Sequence, residues 1–146
     1  MTYSERMGLW RAVWAAEKQR ETTHVHLPID TLAALGERRI KARTERFFVI
    51  SLDSAHKIIR VRTSTKGLIN RVLVHARETF RGAILDNAAG VILAHNHPSG
   101  NMEPSSEDDA ITKRLVDAGQ LLGIPVLDHV IVGRTGYFSY IEENRL

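Results

Sequence analysis

His95 and His97 bracket Asn96 in the run His95-Asn96-His97-Pro98-Ser99-Gly100, and Ser105 and Asp108 follow shortly after. Ahead of the pair lies Val91-Ile92-Leu93-Ala94, a short apolar run that reads as a buried strand. Side chains alternate along a strand, so His95 and His97 project to one side. Pro98 cannot donate to a strand ladder, so the strand ends there and leaves both imidazoles at its mouth. A loop rich in Pro, Ser and Gly leads to a helix starting near Ser105 or Ser106, with Asp108 in its first turn. Two imidazole nitrogens and a carboxylate oxygen make a three-ligand set. Such a set suits Zn2+ with a fourth position open to water, the catalytic arrangement.

Each half of that pattern has a plainer reading. A His-x-His pair taken alone is more often structural than metal-binding. Ser105-x-x-Asp108 and Ser106-x-x-Asp109 both fit helix capping, with first-turn acids favoured by the helix dipole. The combination of strand end, paired His, loop and Ser-x-x-Asp favours the metal. The letters His-Asn-His also spell a nuclease motif, but there the three residues are dispersed along the chain.

The stretch from His95 to Asp109 resembles the metal motif of the JAMM (JAB/MPN) metallohydrolases: His-x-His-Pro, a spacer, then Ser-x-x-Asp. More narrowly it is similar to the RadC-like branch, with further matches at Val74 to Arg81, Leu127 to Gly133 and Tyr137-Phe138-Ser139. The resemblance runs from about Leu27 to Glu143. This divides the chain into an N-terminal helical extension and linker over 1–26 and a RadC-like JAB/MPN domain over 27–146. Two departures stand out. Ala76 replaces the family's usual Pro, and the family's helix-hairpin-helix DNA-binding region is not among these residues.

The resemblance implies a three-layer α/β sandwich like that of the cytidine deaminases, with Zn2+ held by His95, His97 and Asp108. Family members cleave amide or isopeptide bonds; the RadC branch carries a historical DNA-repair association. They place a general-base Glu at the start of an early strand. Glu45, just before Phe47, matches that position; Glu78 competes, but it lies at a helix start where the dipole alone explains an acid. Ser105 matches the family serine that hydrogen-bonds the tetrahedral oxyanion, with helix capping as its other reading. Asn96 and Ser99 are expected to line the loop, and Asp128 and His129 to support the ligands. The expected function is a JAMM-type zinc metallohydrolase, a metallopeptidase acting on peptide or isopeptide-linked protein. The alternative is a DNA-associated accessory or mobile-element protein whose metal is mainly structural; it would need no general base.

Composition bounds these readings. The chain has 146 residues, 43% hydrophobic and 25% charged, as expected of one soluble domain with a real core. It has no cysteine, so disulfides and thiolate zinc ligands are excluded, as is the Cys-bearing zinc deaminase signature. No apolar run could span a membrane and no signal-peptide pattern opens the chain, so a cytoplasmic location and no membrane partner are expected. Net charge is +3. The one basic cluster, Arg38, Arg39, Lys41, Arg43 and Arg46, is interrupted by Glu37 and Glu45 and reads as the solvated face of a helix. Nucleic-acid contact is therefore expected to be weak and electrostatic.

In chain order, residues 4–20 suggest a helix capped by Ser4, with Met7, Leu9, Trp10, Val13 and Trp14 on one side. The tryptophans would dock on the domain or on a second copy in a homodimer. His24-Val25-His26 reads as an incidental pair in a linker. Asp30 is a plausible N-cap for a helix over 31–41 with Leu32, Leu35 and Ile40 inward. Strands are expected over 47–52 and 57–62, forming a hairpin, then over 70–75, 126–132 and 137–141. Helices are expected over 77–87, with Phe80, Ile84 and Leu85 apolar, and from 105 or 106 to 122, with Ile111, Leu115, Ala118 and Leu122 at helical spacing. Gly123 and Pro125 mark the end of the last helix. Strands and helices mix without strict alternation, which points to a mixed sheet flanked by helices.

Overall fold

The structure, a computed structural model, describes residues 2–17, 22–67 and 74–146, apart from the side chains of Trp10 and residues 12–17. Helix α1 spans Tyr3–Glu17, α2 Pro28–Leu35 and α3 Glu37–Ile40. Strands β1, Arg46–Leu52, and β2, Ile58–Lys66, form the expected hairpin. Then come α4 (Ala76–Leu85), β3 (Gly90–Asn96), α5 (Ser106–Leu122), β4 (Val126–Val132) and β5 (Tyr137–Ser139). The strand expected over 70–75 lies largely outside the described residues.

The sheet runs β2-β1-β3-β4-β5. β1 is antiparallel to β2 and β3, β3 is parallel to β4, and β4 is antiparallel to β5. The sheet is mixed, and helices cover both faces in an α/β sandwich. β1 and β3 are buried along almost their whole length, which is why they read as continuous apolar runs rather than alternating ones. Alternation nevertheless sorts their side chains. Phe48, Ile50, Ile92 and Ala94 pack with Leu32, Leu35 and Ile40 on the α2–α3 side. Phe47, Val49, Val91 and Leu93 pack with Phe80, Ile111 and Leu115 on the α4–α5 side.

Several boundaries differ from expectation. The helix expected over 31–41 is broken at Gly36, whose φ of 80° and ψ of 159° leave the helical region. Asp30 is not the N-cap; it sits one turn in, and its carboxylate accepts the backbone N–H groups of His26 and Leu27. Ser4 does not cap α1. Thr2 does, its hydroxyl accepting the Glu5 N–H while the Glu5 carboxylate accepts the Thr2 N–H. Met7 is buried against the sheet, whereas Leu9 is exposed. Leu122, Ile84 and Leu85 are also exposed, since each helix ends as it leaves the sheet. The segment around His24 is no free linker: His24 pairs with Lys57, and Val25 donates to the His56 carbonyl. Its imidazole stacks on His26, and His26 on His56. No helix among the described residues is long and apolar enough to cross a membrane.

Candidate metal centre

His95 is placed by the middle of the sheet. It pairs with Phe47 across β1 and with Ile131 across β4, so its side chain points at α5. His97 lies just past the strand, where its N–H still donates to the Val132 carbonyl. α5 delivers Asp108 from the opposite direction. Ser105 is the N-cap of α5: its Oγ accepts the Asp108 N–H at 3.1 Å, and Asp108 Oδ2 accepts the Ser105 N–H at 2.8 Å. This capping box fixes the Asp108 rotamer by occupying one side of its carboxylate. The competing Ser106–Asp109 cap does not form. Asp109 binds the Tyr140 hydroxyl and Arg145 instead.

One ligand atom from each of His95, His97 and Asp108 lies within 4.8 Å of the others. His95 Nε2 is 2.9 Å from His97 Nε2 and 3.2 Å from Asp108 Oδ1, and His97 Nε2 is 3.5 Å from Asp108 Oδ2. Ligands at tetrahedral corners about 2.0–2.1 Å from a zinc ion would stand roughly 3.3 Å apart. The observed spacings bracket that value.

The hydrogen bonds behind the two rings decide which atoms face inward. His97 Nδ1 donates to the Asn101 carbonyl at 2.6 Å, so its Nε2 carries a lone pair when the ring is neutral. Behind His95 the hydrogen-bond chain passes through two residues, His129 and Thr112. Thr112 Oγ1 lies 2.7 Å from the Asp108 carbonyl and 2.6 Å from His129 Nδ1. A carbonyl only accepts, so the single hydroxyl proton goes there, and His129 Nδ1–H must donate to Oγ1. His129 Nε2 then accepts, at 2.8 Å, from His95 Nδ1–H. His95 Nε2 is thereby left with its lone pair turned toward Asp108 and His97. With both rings neutral, three acceptors converge with no proton of their own between them, an arrangement suited to a cation.

Electrostatics agree. Burial lowers the pKa of His95, against the opposing pull of Asp108, so this ring is neutral. Burial and then the neighbouring His95 push His129 well below the usual imidazole value. Burial acts the same way on His97, but the hydrogen bonds to Asp108 and Asn101 outweigh it and raise its pKa. Burial would raise Asp108; the two imidazoles overcome this and hold it far below the usual carboxylate range. Phe47 stacks on His95, and Tyr140 lies flat on His129 with centroids 5.0 Å apart. These rings exclude water behind the ligands.

The remaining candidates fall in different places. Glu45 precedes β1, two residues before Phe47, on the strand parity that faces the imidazoles, and its charge acts on both His95 and His97. Glu78 is exposed on the first turn of α4 and pairs with Arg77. Ser105 and Ser99 are exposed at the rim of the site. Asn96 does not line the loop; it is buried on the opposite face of the sheet, because alternation turns it away from its two neighbours. Asp128 does not support the ligands either. Its carboxylate accepts from the His129 N–H, the Ser139 hydroxyl and the Ile141 N–H, which fastens the C-terminal turn. Thr112 and the Asn101 carbonyl were not singled out from the sequence. Thr112 carried one signal, its place four residues after Asp108 on the same helix face.

Comparison with known proteins agrees with this geometry. Residues 25–146 match the family model described as RadC-like JAB domain. A UPF0758 protein of Methanospirillum hungatei is 55% identical over 120 residues, covering 80% of this chain and 51% of that protein. One from Thermotoga maritima is 53% identical over 98 residues, covering 67% and 44% respectively. A third, from Rubrobacter xylanophilus, is 46% identical over 119 residues, covering 82% and 52%. The chain thus spans about half the length of the curated relatives it matches. With the family model matched over most of its length and a buried His-His-Asp group at the family's motif, this chain belongs to the RadC-like JAB domain family.

Proposed function

We propose that the chain is a zinc-dependent hydrolase of JAMM type that cleaves amide bonds in peptides or isopeptide-linked proteins. The observation that carries this reading is the convergence of three lone-pair donors from His95, His97 and Asp108, with their outer hydrogen bonds already fixed. Three protein ligands leave a tetrahedral ion one open position, which is the arrangement of a catalytic rather than a structural site. Bound there, the ion would supply Lewis acidity to a scissile carbonyl and lower the pKa of water toward ~7.

The chain's own residues supply the rest. Glu45, on the imidazole-facing parity of β1, accepts the proton of the attacking water and returns it to the leaving nitrogen. It is not a ligand, since the three others and water complete the set. Ser105 uses an Oγ lone pair on the Asp108 N–H, which leaves its hydroxyl proton to donate to the oxyanion of the tetrahedral intermediate. The Asn101 carbonyl and the His129–Thr112 pair hold the ligand rings in the productive tautomer.

An activity screen tests the proposal. The zinc-loaded chain is offered peptides, isopeptide-linked conjugates and nucleic acids, with His95→Ala as control. Amide cleavage lost in His95→Ala supports the reading. Cleavage unchanged in that variant, or tight duplex-DNA binding without any hydrolysis, contradicts it.

A further inference from the structure

Asn96 separates the two ligand histidines in sequence yet faces away from them, fully buried on the α2–α3 side. Its amide is saturated. Oδ1 accepts the Arg46 N–H at 2.7 Å, while Nδ2 donates to the Ala42 carbonyl at 3.1 Å and to the Thr44 carbonyl at 3.0 Å. Ala42 and Thr44 belong to the connection between α3 and β1, and Arg46 opens β1. Thr44 and Arg46 flank Glu45, and the Glu45 carbonyl itself accepts the Gly67 N–H at 2.8 Å. The backbone ladder between β1 and β3 reaches only as far as Phe47–His95. One residue further, the Asn96 side chain takes over its role.

The geometry points to Asn96 as the positioning residue that holds Glu45 in register with the metal ligands, an inference that rests on the reading of Glu45 as general base. One dipeptide step on β3 then sets both halves of the site. His95 goes to one face as ligand, and Asn96 goes to the other to pin the backbone on both sides of the base. The β1–β3 ladder closes the span of fifty residues between Glu45 and His95 as far as Phe47, and one amide side chain closes its last step. No other polar side chain of this size or smaller does this. A hydroxyl has one proton for two carbonyls, and aspartate would set a carboxylate against both.

The test uses the full chain loaded with Co2+, as wild type, Asn96→Ala, Glu45→Gln and the double variant. Asn96→Thr, whose branched side chain suits a strand but cannot bridge three groups, repeats it if the alanine variant fails to fold. Metal stoichiometry and visible spectrum read the ligands. Paramagnetic shifts of the Glu45 side chain read the position of its carboxylate, and hydrogen exchange reads the Arg46 amide. Asn96→Ala should keep one Co2+ and its spectrum, lose most of the Glu45 shift, and speed Arg46 exchange by about tenfold or more, the scale of one lost hydrogen bond. With a cleavable substrate, it should lower kcat and add nothing in the Glu45→Gln background. Wild-type Glu45 shifts in the folded Asn96 variants would overturn the inference, as would loss of Co2+ from them, since Asn96 would then be supporting the ligands. The reading of Glu45 is judged separately: turnover undiminished in Glu45→Gln removes it as base, while the Glu45 shifts still decide what Asn96 holds.

Discussion

Replacing Thr112 by valine removes one hydroxyl from a buried site without changing the shape of the side chain, and no atom of residue 112 is a ligand. That hydroxyl gives the chain from Asp108 through His129 to His95 its direction. Valine cannot accept from His129 Nδ1–H, which leaves a buried donor unpaired at a cost of about 1–3 kcal/mol. The chain relieves this by reversing. His129 moves its proton to Nε2 and donates to His95 Nδ1, and His95 then carries its proton on Nε2, 3.2 Å from Asp108 Oδ1. The reversed tautomer is comfortable without metal and wrong for binding it. Metal association must undo it, so Thr112→Val should weaken zinc affinity by about 10–100-fold, or 1.4–2.8 kcal/mol. Thr112→Ser keeps the hydroxyl and should stay near wild type. Competition against a chelator of known affinity measures the change, and nitrogen NMR of the metal-free protein reports which His95 nitrogen is protonated. Undiminished zinc affinity in Thr112→Val, with His95 still protonated on Nδ1, would refute the relay.

Glu45→Gln should fold, keep its zinc and lose at least about a hundredfold in rate, whereas Glu78→Gln should change little; steady-state kinetics with metal analysis decides. Zinc affinity should fall with falling pH, because the raised pKa of His97 puts a competing proton on a ring that must be neutral to bind, while Asp108, held far below the usual carboxylate range, stays ionised. Binding should release protons, and more of them at lower pH, as calorimetry in buffers of different ionisation enthalpy will show. Gly119→Ala puts its Cβ 2.5 Å from the Ile124 carbonyl oxygen and 3.1 Å from the Phe80 ring, so it should destabilise the fold by about 1–3 kcal/mol in urea unfolding, although alanine is the better helix former.

Much of the site was legible because its spacing follows local rules. Strand alternation put the two imidazoles on one side, and the Ser-x-x-Asp cap brought Asp108 into the first turn of α5. Gly123, at a φ of 72°, ends α5 as its position suggested. What escaped the sequence depends on pairing between distant segments. His129 supports the ligands as expected, but that it does so through His95 follows only from the parallel register in which Leu93 meets His129. Asn96 read as a loop residue because Pro98 lies so near, but its strand persists through it, and alternation alone sends it to the other face. The helix over 31–41 failed at Gly36, where a backbone break outweighed a continuous apolar periodicity. β2 runs on to Lys66 because pairing with β1, through a register irregularity at Ser64, carries the strand through Ser64 to Lys66, residues whose own strand preference is weak.

If His95, His97 and Asp108 bind one metal ion together, loss of any one of them must release it. Metal analysis of the wild type, His97→Ala and Asp108→Ala, each confirmed folded by circular dichroism and dialysed against dilute Zn2+, tests this most directly. One Zn2+ is expected per wild-type chain and, in either variant, less than about a tenth of an equivalent. A full equivalent retained in either folded variant would contradict joint binding.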